Sequence, residues 1–152
     1  MKKFFLLSVM CLMALSIHAQ GYVDLGLPSG TLWKSVDENG LFNHNNAMKM
    51  FGNNLPSEAQ FKELKEKCEW RWNGSGYTVT GPNGNSIEMN LYGGRQCEGN
   101  ITNTGEAGYY WGSEYDYGND IAMYLYVTVD GGTGVGYHSR CQGFSVRLVR
   151  KK

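Results

Sequence analysis

Gly108-Tyr-Tyr-Trp-Gly-Ser113, Ile121-Ala-Met-Tyr-Leu-Tyr-Val-Thr-Val129 and Gly143-Phe-Ser-Val-Arg-Leu-Val-Arg150 are the blocks whose reading decides the fold. In the middle block Ile121, Met123, Leu125, Val127 and Val129 occupy every second position, the period of a strand with one buried face. That phase makes them core and directs Tyr124, Tyr126 and Thr128 outward. Around the strand lie Tyr115, Tyr117, Asn119 and Asp120 on one side, and Asp130, Tyr137, His138 and Arg140 on the other. The reading is a rigid sheet that displays a polar and aromatic surface over residues 114–142, with scaffold at 109–113 and 143–150. Gly132-Thr-Gly-Val-Gly136 has glycine spacing reminiscent of a nucleotide loop, but with no helix behind it the segment reads as a hairpin turn.

Working outward, strand period continues upstream. Glu69-Trp-Arg-Trp72 alternates aromatic and polar side chains, Asn73-Gly-Ser-Gly76 turns the chain, and Tyr77-Thr-Val-Thr80 answers as partner. After a second turn comes Ser86-Ile-Glu-Met-Asn90, with Ile87 and Met89 on one face. Residues 91–104, rich in Gly and Asn, read as loop. Further upstream the period changes. Ser57 and Gln60 fit a capping box, which predicts a helix from Glu58 to about Lys67 that buries Phe61, Leu64 and Cys68. A shorter helix over 46–51 is stopped by Gly52. Val23, Leu25 and Leu27 at period two, then a Pro28-Ser-Gly30 turn, then 31–36 with Leu32 and Trp33, predict an opening hairpin. The class is α+β, with two short helices early and antiparallel strands and hairpins late.

The 152 residues carry no net charge and suit one domain. Lys2 and Lys3, an apolar run over 4–17 and Ala19 form the three parts of a secretory signal peptide, so residues 1–19 read as the signal and 20–152 as the domain. Cys11 lacks the small preceding residue of a lipidation site. Signal removal takes Lys2 and Lys3 and leaves a slight acidic excess, which offers nothing to nucleic acid. The expected location is periplasm or cell surface, with no membrane insertion after cleavage. Cys68, Cys97 and Cys141 remain, an odd number. Three partly buried thiols are the favoured reading, and Cys97–Cys141 is the pair to test first for a bridge.

Six blocks, taken in order, carry a resemblance. They are Tyr22-Val-Asp-Leu-Gly-Leu-Pro-Ser-Gly-Thr-Leu-Trp33, Leu55-Pro-Ser-Glu-Ala-Gln-Phe61, Cys68-Glu-Trp-Arg-Trp72, Val79-Thr-Gly-Pro-Asn-Gly-Asn-Ser-Ile87 and the 108–113 and 143–150 blocks quoted above. Together they resemble the Fibrobacter succinogenes major paralogous domain, a family common in secreted proteins of Bacteroidetes. The resemblance implies a C-type-lectin-like fold related to that of formylglycine-generating enzymes, with the N- and C-terminal strands paired. It also implies a closing segment similar to the variable region of retroelement-diversified proteins. Many members carry an insert after the Leu-Trp block; here Val36-Asp-Glu-Asn-Gly40 leads directly to the first helix.

No catalytic residue is expected. The three cysteines do not reproduce the thiol motif of formylglycine-generating enzymes, and fold analogy alone is weak support for activity. His44 and His138 lack a second His at metal-ligand spacing and read as ordinary surface residues. The calcium-binding motifs of C-type lectins are missing, and Asn119-Asp120 supplies too few oxygens. Neither metal nor cofactor is expected. The four tryptophans read mainly as scaffold. The candidate ligand-binding residues are Tyr115, Tyr117, Asn119, Asp120, Tyr124, Tyr126, Asp130, Tyr137, His138 and Arg140, a composition like that of a paratope. The expected function is calcium-independent, non-enzymatic recognition of a protein or glycan by a secreted module. The alternative is a structural or accessory envelope protein packed in a surface assembly; oligomeric state stays open.

Overall fold

The computed structural model describes residues 21–152, and the signal-peptide reading lies outside them. Tyr22–Asp24 (β1) turns back through 25–30 to pair with Thr31–Lys34 (β2), which is shorter than the sequence suggests. His44–Phe51 (α1) begins two residues earlier than expected, because the Asn43 side chain accepts from the Asn46 amide at 2.9 Å and caps it. Glu58–Lys67 (α2) has the full capping box, the Gln60 amide donating to Ser57 Oγ and the Ser57 amide to Gln60 Oε1.

Glu69–Trp72 (β3), Gly76–Thr80 (β4) and Ser86–Asn90 (β5) form an antiparallel sheet in sequence order. The segment read as loop contains a short pair, Gly94–Arg95 (β6) with Ile101–Thr102 (β7). Ala107–Asp116 (β8), Ile121–Thr128 (β9) and Thr133–Ser139 (β10) make the central sheet, and Val149–Lys151 (β11) returns to pair with β2. The described residues are α+β with two α-helices and antiparallel sheets, and the first and last of their strands share one sheet. Among the described residues no helix is long and apolar enough to cross a membrane.

The central sheet carries buried side chains on both faces. One face carries Tyr110, Met123, Leu125 and Val127 against Phe61 and Leu64 of α2 and Val79, Ile87 and Met89 of the second sheet. The other carries Trp111 and Ala122 against Ala47 of α1, Leu55, Phe144, Val146 and Leu148. Each such apolar side chain stabilises by about 1.5–3 kcal/mol when fully buried. Residues 143–148 therefore form a cover that leads into the closing strand β11. Ser145 receives the Trp111 amide on its carbonyl at 3.0 Å and donates its own amide to Tyr109 O at 2.9 Å.

Two sequence expectations need correction here, one at Val129 and one at the cysteines. Val129 is exposed and not core, because β9 ends at Thr128 and the Val129 amide leaves the ladder to bond Glu106 O at 2.8 Å. The tryptophans serve as scaffold: Trp33 and Trp111 are fully buried, and Trp72, though partly exposed, packs edge-on against Tyr77 across its hairpin at 5.4 Å. The cysteines are not three thiols. Cys97 and Cys141, with Cα atoms 4.7 Å apart, are joined, and Cys68 is free at the end of α2. The bridge ties the β6–β7 hairpin to the turn after β10, and closing a loop of this length is worth about 4 kcal/mol in the chain-entropy account.

Arg147 is 1% exposed and ion-paired to Asp37 through Nε, while Nη1 bonds Lys34 O at 3.1 Å and Nη2 bonds Glu88 O. Removing one member of a buried pair strands the other, at a typical cost of about 3–5 kcal/mol. Urea unfolding of Arg147→Ala and Asp37→Ala is expected to show such losses. The double variant should lose less than the sum, and strict additivity would disprove the coupling.

Candidate recognition surface and the cleft beside it

The register of β9 against β10 distributes the residues expected to form one surface. Tyr124 is opposite Gly136, Tyr126 opposite Gly134, Ala122 opposite His138 and Met123 opposite Tyr137. Cross-strand partners share a face. Tyr124, Tyr126 and His138 thus lie together, with Tyr109, which pairs Tyr126 across β8. Tyr137 is the correction: it shares the face of Met123, the side on which α2 packs.

On the shared face the tyrosine rings lie across the glycine backbone. A Cβ on Gly134 would sit 2.5 Å from Tyr126 Oη, and one on Gly136 would sit 3.2 Å from Tyr124 Cε1. Any side chain at 134 would push the Tyr126 ring off the sheet. Behind them, Phe144 packs at 5.1 Å from Tyr124 and stacks on Tyr109 at 5.0 Å, centroid to centroid. The Asn103 amide donates to Tyr109 Oη at 2.9 Å. Tyr124 is half-buried, and burial raises its hydroxyl pKa, with Tyr109 and Tyr126 adding to the shift. The result is a fixed aromatic surface with His138 exposed at its edge.

Arg140, expected to be an exposed contact, is 7% exposed and acts as an internal clamp. Its Nε donates to His44 Nδ1 at 3.4 Å, Nη2 bonds Asn45 Oδ1, and Nη1 lies 3.7 Å from Asp120 Oδ1. The guanidinium also lies 4.5 Å from the Tyr117 ring centroid and 5.5 Å from that of Tyr115. It thereby holds the β8–β9 turn, leaving both tyrosines outward. Within that turn Asp116 accepts from the Gly118 amide and from Asn119 Nδ2, bonds that lower its pKa. Asn119 is consequently engaged inside the turn. Asp130 likewise serves its own turn, accepting from Thr128 Oγ1 and the Gly132 amide at 3.3 Å.

His44 is not a surface residue but fully buried. Its Nε2 is 2.9 Å from Gly112 O, so Nε2–H donates there while Nδ1 accepts from Arg140, which requires the neutral ring. No sequence signal marked it, since its partners lie 68 and 96 residues away.

A second concavity, of about 750 Å³, lies elsewhere on the molecule. Val36, Leu41, Glu88, Asn90, Tyr92 and Ile101 line it beside the Asp37–Arg147 pair. The alternation was a usable clue: with Ile87, Met89 and Leu91 in the core, residues 88, 90 and 92 must face out. No protein-family model matches the chain, and no curated protein or solved structure matches it.

Burial holds the His44 pKa below its usual 6.5, Arg140 adding to this and the Gly112 bond opposing it. As pH falls through 6.5 the unfolded chain takes up a proton that the folded chain refuses, so folding stability must fall. Urea unfolding from about pH 7.5 to about pH 5 should show this loss, at most about 1.4 kcal/mol per pH unit from this group. The slope should flatten in His44→Gln; an identical slope in that variant would remove His44 from the account.

Proposed function

We propose that this protein is a secreted, non-enzymatic recognition module of the Fibrobacter succinogenes major paralogous domain family, with a C-type-lectin-like fold. In this reading it binds a protein or glycan, without calcium, through Tyr124, Tyr126 and His138, continued by Tyr115 and Tyr117. The observation that carries the reading is the seating of two tyrosine rings over Gly134 and Gly136. Rings already immobilised lose little entropy on contact, and each offers a large amphipathic area.

Several features support the accompanying parts of the reading. The pairing of β2 with β11 fits the terminal pairing that the family resemblance implies. Cys68, the free cysteine among the described residues, has its pKa pushed up to about 11, by burial first and then by Glu63, so it is a thiol and a poor nucleophile at neutral pH. The other two cysteines are joined, and the buried His44 has both nitrogens engaged. The turn carboxylates Asp116 and Asp130 are occupied by local donors, which suits binding without a calcium ion.

The test begins by screening the secreted protein against immobilised polysaccharides and cell-surface proteins. For a ligand so found, replacing Tyr124 and Tyr126 together by Ala should weaken binding by at least about tenfold, the scale of a hot spot. Tyr137→Ala, on the opposite face, should change it less than about twofold, and a chelator should leave it unchanged. The reverse pattern, loss with Tyr137→Ala and none with the double variant, would falsify the assignment.

A further inference from the structure

We infer that the cleft beside Arg147 is a second ligand site, one that takes an organic cation carried on an apolar body. Its walls leave three large apolar side chains open to water around one concavity: Val36 is 44% exposed, Tyr92 50% and Ile101 50%. Single exposed apolar residues need no explanation, but a group of them around a hollow of ligand size does. The volume, about 750 Å³, lies within the range of small-molecule sites.

The charges decide what fits. Arg147, the cation in the lining, is neutralised by Asp37, and its remaining donors are spent on the carbonyls of Lys34, Ser35 and Glu88. Lys34 is paired with Glu38. Glu88 is different, because its carboxylate accepts from Thr78 Oγ1 at 2.9 and 3.0 Å and from Asn73 Nδ2, all neutral donors. Arg71, on the far strand of that sheet, is taken by Glu69 at 2.8 Å. One fixed negative charge is therefore left without a cation. An anionic ligand would meet Glu88 and find no free guanidinium.

Strand geometry sets the shape. Glu88 and Tyr92 are four residues apart on the same outward phase, about 13 Å along the chain at strand rise. A cation at the Glu88 end leaves its apolar stem to run past Asn90 to Tyr92, Ile101 and Val36. Chain ammonium compounds of this kind match the site, whereas a bare metal ion or a carboxylate does not.

The probes are octylammonium and octanoate, equal in chain and opposite in charge, titrated into the full secreted protein and followed by backbone amide NMR shifts. Octylammonium should saturate, with shifts centred on Val36, Tyr92, Ile101 and Thr104, and should bind about two- to fivefold tighter than octanoate, the scale of an exposed ion pair. Glu88→Gln should abolish that preference while keeping weak binding of both. Tyr92→Ala should weaken both alike. Equal binding of the two probes, shifts centred outside the cleft, or no saturable binding of octylammonium would each overturn the inference. An unchanged preference in Glu88→Gln, with its amide spectrum otherwise intact, would overturn it as well.

Discussion

The guanidinium of Arg147 is the constraint on which the rest of the structure leans. It belongs to the last ten residues, yet it bonds Asp37 and the carbonyls of Lys34 and Ser35 near the start, and the carbonyl of Glu88 in the second sheet. Its planar fork presents donors in fixed directions, so two separate stretches of chain, 34–37 and Glu88, must meet it in one arrangement. Burial pushes the Asp37 pKa up and Arg147 pulls it back, with the net direction upward. Taking both charges out of water is costly, so the pair is better understood as fixing register than as adding net stability. Two residues on, Val149 pairs with Trp33, and the register set by Arg147 is carried into the sheet.

That anchoring determines what the 143–149 segment can do elsewhere. Phe144, Val146 and Leu148 pack on the face of the central sheet that the alternation at 121–129 alone would leave to solvent. The tyrosines there are half-covered and stiff because Phe144 stands behind them. Three residues later the same segment places Arg147 beside the cleft. Both candidate sites are thus backed by one short stretch, and its position depends on one buried ion pair.

The local parts of this fold were legible in the sequence, and the long-range parts were not. The capping box placed α2, and period two placed β3, β4, β5 and β9, because each pattern is written within a few residues. The burial of Arg140 and His44 has no local signature, because each depends on the other across 96 residues. Composition groups Tyr137 with Tyr124 without regard to phase, whereas the register of β10, set by the turn at 129–132, places them on opposite faces. The cleft was missed since its floor joins residues 110 apart. Cys97–Cys141 is the pair the sequence puts first, and it is the pair that is joined; that a bridge forms at all is a property of the folded chain, which an odd cysteine count does not decide.

The glycines of β10 bear on why such a surface exists. β10 is an edge strand, and β-branched and aromatic residues are the types enriched in strands. Glycine there costs conformational entropy, of the order of 0.5–1 kcal/mol per position relative to alanine. Gly134 and Gly136 incur that cost on the side where Tyr126 and Tyr124 lie, while Val135 between them packs toward the core. The rings recover some of it by covering the bare backbone, as aromatic side chains do beside glycine in sheets. Two ordinary strand formers would have given a more stable edge but would have stood the tyrosines away from the sheet. Glycine at these positions favours flat, fixed rings over strand stability, which is the physical reason for reading this face as a contact surface.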